Sequence, residues 1–190
     1  MSEATPVCAP TETVIFDQRF AAPGLPHGWY TDTPYPVYGH GAWDCRSGDG
    51  VVITLPHDAW THLRVEITLG DIGPQATAFC GTDSRTALQL ALGDTPFARH
   101  QAADGGYVIA HTGVPIPRTD GTAELTFGWT ADRMTAAANG ITALDVPNLR
   151  RSARAGSFQL GFRQCLVRRI AVYSIAAAAV AAPIQALRED

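Results

Sequence analysis

Three polar residues stand two apart at the start of an alternating apolar run: His62, Arg64 and Glu66. On a β-strand, residues two apart share a face, so these side chains would stand in a row about 7 Å apart. Such a row could do acid/base work. Glu66 would give or take the proton, and Arg64 would hold its pKa down or grip a ligand oxyanion. His62 would exchange protons near neutral pH. The plainer alternative is an exposed sheet face of solvated charges with a cross-strand ion pair.

A second group is aromatic. Residues 29–44 hold Trp29, Tyr30, Tyr35, Tyr38 and Trp43 together with His40. Aromatic rings stack on the apolar C–H faces of ligands such as sugars, while neighbouring polar groups take the hydroxyls. Tyr30, Tyr35, Tyr38 and His40 are the ligand candidates. Gln89, His111, Gln159 and Arg163 are further polar positions on strand-like runs. They could line the same face, or be ordinary outward-facing residues.

Other chemistry has less to work with. His57-Asp58 with His62 and Glu66 fits neither a zinc helix motif nor a calcium loop, and Gly48-Asp49-Gly50 has the composition of a turn. No metal and no cofactor are expected. Cys8, Cys45, Cys80 and Cys165 form no CxxC pair, so zinc-ribbon spacing is absent. They are most simply reduced thiols, with two disulfides as the alternative in an exported protein. Cys80 is expected near a turn over Ala78 to Gly81, with no activating base beside it. All 14 basic residues are arginine, which excludes a lysine Schiff base or lysine general base.

The bulk numbers agree with a small folded protein. At 190 residues the chain suits one domain with a substantial core. Its net charge of −4 and its short arginine clusters (Arg150-Arg151-Arg154 and Arg168-Arg169) argue against a nucleic-acid partner. No apolar run reaches the roughly 18 residues of a membrane helix, and the stretch from Ile175 to Leu187 is broken by Pro183. Met1 to Pro10 lacks the basic and apolar regions of a secretory signal, so a cytoplasmic location is expected.

The elements that must position these residues are short strands with period-two alternation, bounded by Gly, Pro, Asp and Asn. Strands are expected over Val14–Phe20, Val51–Leu55, Thr61–Leu69, Thr86–Leu92, Tyr107–His111 and Ala123–Thr130. More follow over Arg133–Ala138, Ile141–Val146, Ser157–Arg163 and Leu166–Ile175. Residues 21–50, rich in Pro, Gly and aromatics, are expected to form a long structured loop. Asn139-Gly140 supplies the positive φ angles of a type I′ hairpin turn. Many short strands joined by such turns imply an all-β antiparallel sandwich or barrel. The domain is expected over 14–175, after an N-terminal arm (1–13) and before an alanine-rich C-terminal tail (176–190) that is either a short helix or a frayed end.

The order of certain pieces resembles the concanavalin A-like lectin/glucanase superfamily, especially its small bacterial laminin-G-like and sugar-hydrolase-type jelly rolls. Val14-Ile15-Phe16-Asp17 with Phe20, then Gly28-Trp29, resembles the opening of those domains. Gly41-Ala42-Trp43-Asp44 leading to Gly48-Asp49-Gly50-Val51 resembles the next segment. Trp129 to Met134 running into Asn139-Gly140, and Phe162-Arg163 running into Val167 to Val172, resemble the last two. The resemblance implies a concanavalin-like antiparallel β-sandwich, core packing for Trp29 and Trp43, and a carbohydrate or small glycoside as partner. Laminarinase-type members carry Glu-x-Asp-x-x-Glu on one strand, and this chain has no such motif. Acid/base cleavage of a small glycoside or modified sugar by Glu66, His62 and Arg64 is therefore one reading. A non-catalytic carbohydrate-binding module is another, and a structural or partner-binding sandwich subunit, a homo-oligomer included, is a third.

Overall fold

A computed structural model of the chain describes residues 11–31, 36–55, 62–83, 86–119, 121–149 and 157–175. These residues are all strand, turn and loop, with no helix among them. In chain order the strands begin with β1 (Glu12–Arg19), β2 (Trp29–Thr31), β3 (Tyr38–Gly39), β4 (Ala42–Asp44) and β5 (Asp49–Thr54). Then come β6 (Leu63–Gly70), β7 (Thr77–Asp83), β8 (Thr86–Ala91), β9 (Phe97–Gln101) and β10 (Tyr107–Thr112). The last are β11 (Thr122–Trp129), β12 (Arg133–Ala138), β13 (Ile141–Pro147), β14 (Ser157–Arg163) and β15 (Leu166–Ile175).

The strands form two antiparallel sheets. An eight-stranded sheet runs β13-β12-β11-β6-β15-β4-β3, with β1 added beside β15. A seven-stranded sheet runs β10-β9-β8-β7-β14-β5-β2. β15 is shared along one side: β4 pairs with its first residues and β1 with the rest, from Arg169 to Ile175. The inner faces close on one apolar core. Leu63, Val65, Ile67 and Leu69 of β6 meet Val51 and Ile53 of β5 and Phe158 and Leu160 of β14 there, all nearly free of solvent contact. Period-two alternation makes this possible, because each strand gives one phase to the core and the other to the outside.

Trp43 lies in the core at 0% exposure and Trp29 at 5%, with the Phe20 ring 5.7 Å from the Trp43 ring. The Asn139-Gly140 turn has the expected positive φ at both residues, 49° and 76°. His40-Gly41 repeats this device between β3 and β4, with φ of 54° and 68°.

The structure corrects the sequence reading in three places. Residues 21–50 are not one long loop, since they contain β2, β3, β4 and the start of β5. These strands are two or three residues long before β5, too short to show a period. Two full strands, β7 and β9, went unrecognised. Cys80 lies inside β7, fully buried, and not near a turn. In both strands the inward phase is small (Ala78 and Cys80 in β7, Ala98 in β9), while the large side chains Phe79 and Phe97 take the other phase. That inverts the pattern a hydrophobic alternation search detects. The first ten residues of the arm, the tail 176–190, Tyr35 and His57-Asp58 lie outside the described residues.

Candidate functional site

Each sheet has an outer face, and the expected site residues divide between the two. On β6 of the eight-stranded sheet, Arg64, Glu66 and Thr68 form the outward phase, between buried apolar neighbours. His62 immediately precedes the strand, where its carbonyl accepts a hydrogen bond from the Ile175 amide at 3.0 Å. Arg64 and Glu66 come within 3.4 Å of each other.

Their other partners come from β1 and β15. The Tyr173 hydroxyl donates to Glu66 Oε2 at 2.9 Å, and Arg169 Nη1 donates to the same oxygen at 3.4 Å. Arg64 Nη2 donates to Glu12 at 2.7 Å, while its guanidinium lies 4.5 Å above the Tyr173 ring. Arg169 also holds Asp17 through Nε at 2.7 Å and Nη2 at 3.1 Å. That pairing lowers the Asp17 pKa below its ordinary value, because the guanidinium hydrogen bonds favour the carboxylate form. The result is a half-buried chain, Glu12–Arg64–Glu66–Arg169–Asp17, whose charges satisfy one another.

The outer face of the seven-stranded sheet is organised differently. Cross-strand register lines up Tyr30, Val52, Gln159, Gly81, Ala87, Arg99 and Ile109 in one row across all seven strands. The next row is Gly50, Gly161, Phe79, Gln89 and Phe97. Arg163 and Thr77 face each other in the row after that. Tyr30, Gln89 and Arg163 therefore share this face, together with Gln159, and stand on the opposite side of the sandwich from Glu66.

A hollow of about 390 Å³ opens between the ends of β5, β14 and β7. Gly50 and Gly161 contribute to its lining, and Phe79 and Thr77 flank it. A side chain at position 161 would collide with the Phe79 ring, so the missing Cβ lets that ring lie over β14. Asp49 borders the end of the hollow, but it stands in the opposite strand phase from Gly50 and its carboxylate is held on the core side: Oδ2 accepts from Trp43 Nε1 at 3.0 Å and Oδ1 from the Gly50 amide at 2.8 Å. The Arg163 side chain runs past Gly48, and its guanidinium has no carboxylate partner among the described residues. The hollow thus combines an aromatic ring and a cation without a counter-charge over a floor of two glycines.

The remaining candidates lie elsewhere. Tyr38 packs against the core with its ring 6.4 Å from Phe20, and burial raises its pKa. His40 is the first residue of the β3–β4 turn and points to solvent. His111 lies on the edge strand β10, beyond a register shift, opposite Ala98. Tyr38, His40 and His111 are not brought to the hollow. Phe79, Thr77, Asp49 and Gly161 are, and only the Gly-flanked Asp49 gave a local signal in the sequence. Among the described residues, no three His, Cys, Asp or Glu side chains converge as metal ligands.

No family model and no curated protein matches the sequence. Solved structures do match the fold. The Emp47p carbohydrate recognition domain is 8% identical with a TM-score of 0.62, over 86% of this chain and 96% of that one. A Bacillus subtilis protein of unknown function with a galectin-like fold is 9% identical with a TM-score of 0.63, over 88% and 99%. The Bacillus subtilis carbohydrate-binding module CBM66 is 11% identical with a TM-score of 0.51, over 75% and 91%. At such identities the likeness establishes architecture: the chain has a galectin-like, lectin-type jelly-roll β-sandwich fold.

Proposed function

We propose that this protein is a carbohydrate-binding sandwich that seats a sugar unit in the hollow on the outer face of its seven-stranded sheet. The observation that carries this reading is the composition of the hollow, with Phe79 and Arg163 around one small cavity. A pyranose or furanose ring would lay its apolar C–H face against Phe79, and its hydroxyls would hydrogen-bond to Arg163. At about 390 Å³ the space suits one or two sugar units. Tyr30, Gln159 and Gln89 on the neighbouring strands would meet further units of a longer glycan. The likeness to the Emp47p carbohydrate recognition domain and the carbohydrate-binding module CBM66 supports the same class of ligand.

Acid/base cleavage centred on Glu66 has less behind it. Tyr173, Arg64 and Arg169 already occupy that carboxylate, and it stands on the other sheet from the hollow. The test is a glycan array followed by titration calorimetry with the best-retained glycan. Phe79→Ala and Arg163→Ala are each expected to weaken binding about tenfold or more, the loss of roughly one stacking or charged contact. Retention of no glycan, or binding unchanged in both variants, would overturn the proposal.

A further inference from the structure

Cys45 and Cys165 are 120 positions apart in sequence, yet the fold brings them face to face. β4 and β15 pair antiparallel through Leu166 with Asp44 and Val167 with Trp43. Extending that register by one residue sets Cys165 opposite Cys45, and the Cys45 amide donates to the Cys165 carbonyl at 3.0 Å. Directly opposed residues in a hydrogen-bonded antiparallel pair have Cα atoms about 5.5 Å apart. That lies within the roughly 4.4–6.8 Å a disulfide spans. Both side chains belong to the buried core at 0% exposure, so both are on the inner face. Cys80 is equally buried on β7 in the other sheet.

We propose that Cys45 and Cys165 are a built disulfide site, closed as the chain folds in the presence of a disulfide oxidant such as oxidised glutathione. One thiolate attacks the oxidant's S–S bond and releases one thiol. The second protein thiolate then attacks the mixed disulfide, forming the Cys45–Cys165 bond and releasing the second thiol. Two protons and two electrons leave the protein, and the oxidant is reduced to two thiols.

The bond would tie the loop after β4, which leads to Gly48 and Asp49, to the β14–β15 turn directly after Arg163. It would staple two walls of the hollow whatever that hollow binds. Timing follows from burial. Desolvation, with the nearby Cys165 as a second cause, raises the Cys45 pKa, and desolvation pushes Cys165 up to about 12. In the closed core both thiols stay protonated and shielded, so the reaction belongs to the folding chain.

The test is to denature and reduce the full chain, then refold it with and without a glutathione redox buffer. Remaining thiols are alkylated under denaturing conditions before tryptic mapping. The chain has no lysine, so trypsin cuts only after arginine and each cysteine falls in its own peptide. The expected result is a linked pair of peptides 20–46 and 164–168, a mass loss of about 2 Da, and Cys80 alkylated. The oxidised form should also melt about 5–10 °C above the reduced one, because the bond closes a long loop in the unfolded chain. Folded protein from the redox buffer with both thiols alkylated would overturn the proposal, as would a link from either cysteine to Cys8 or Cys80.

Discussion

On the outer face of the eight-stranded sheet, Arg64 and Arg169 each hold carboxylates from two strands, and Glu66 joins them through contacts of 3.4 Å. On the outer face of the seven-stranded sheet, Arg163 stands beside a hollow with no carboxylate partner among the described residues, next to glycines and an aromatic ring. Both faces display polar residues at the outward phase of well-formed strands. They differ in whether the arginine at the centre of each meets a carboxylate, as Arg64 and Arg169 do and Arg163 does not among the described residues. In a closed network opposite charges neutralise one another, and the network serves packing and register. A cation left without a counter-charge beside an apolar ring keeps its donors for a ligand.

The largest effect is expected at Gly161. Gly161→Val should drive a methyl group into the Phe79 ring and fill the hollow. Glycan binding is expected to fall more than about 100-fold, with an overpacking cost of about 1–3 kcal/mol in a urea melt. A smaller change would make the open face imitate the closed one. Thr77 faces Arg163 directly across β7 and β14, so Thr77→Glu would supply the missing counter-charge. Calorimetry should show binding about tenfold weaker, with stability altered by less than about 1 kcal/mol.

On the closed face the signs reverse. Glu66→Gln leaves two arginines short of a charge, and denaturant melts should show a loss of about 1 kcal/mol for this partly solvated group. Glycan affinity should stay within about twofold of the parent, and loss of binding here would exchange the roles assigned to the two faces. The smallest effect concerns acid. Asp17 has a lowered pKa because Arg169 stabilises its charged form. Its contribution is thus fully present above the unfolded carboxylate value and is lost as pH falls through the lower folded value. The stability difference between the parent and Arg169→Gln should be constant near neutrality and shrink below about pH 4 in acid melts.

The two faces also differ in how far they can be read from residues alone. The Arg64–Glu66 contact is local, set by two positions on one strand, and period-two alternation is enough to place both side chains together. The partners Tyr173 and Arg169 lie more than 100 residues away, and nothing in their own neighbourhood announces Glu66. The hollow is harder still. Phe79 belongs to a strand that hides from a hydrophobic search because its small residues face in and its ring faces out. Gln89 and Arg163 stand out only as polar positions on strands, with no sign of their place relative to a shared site. Tyr38 shows the converse: an aromatic in a loop-like stretch looks like a ligand contact until Phe20 is found stacked on it.

The class of fold, most of the longer strands, the Asn139-Gly140 turn and the core-facing side of those strands were legible in the residues alone. These are consequences of local alternation and of turn stereochemistry, which act over a few residues. Which strands are neighbours emerged with the folded chain. Folding placed Glu66 in an ion-paired network on one sheet, assembled a hollow around Phe79 and Arg163 on the other, and set Cys45 against Cys165 between β4 and β15. Strand order depends on how whole amphipathic faces close over a common core, and that is a property of the entire chain at once.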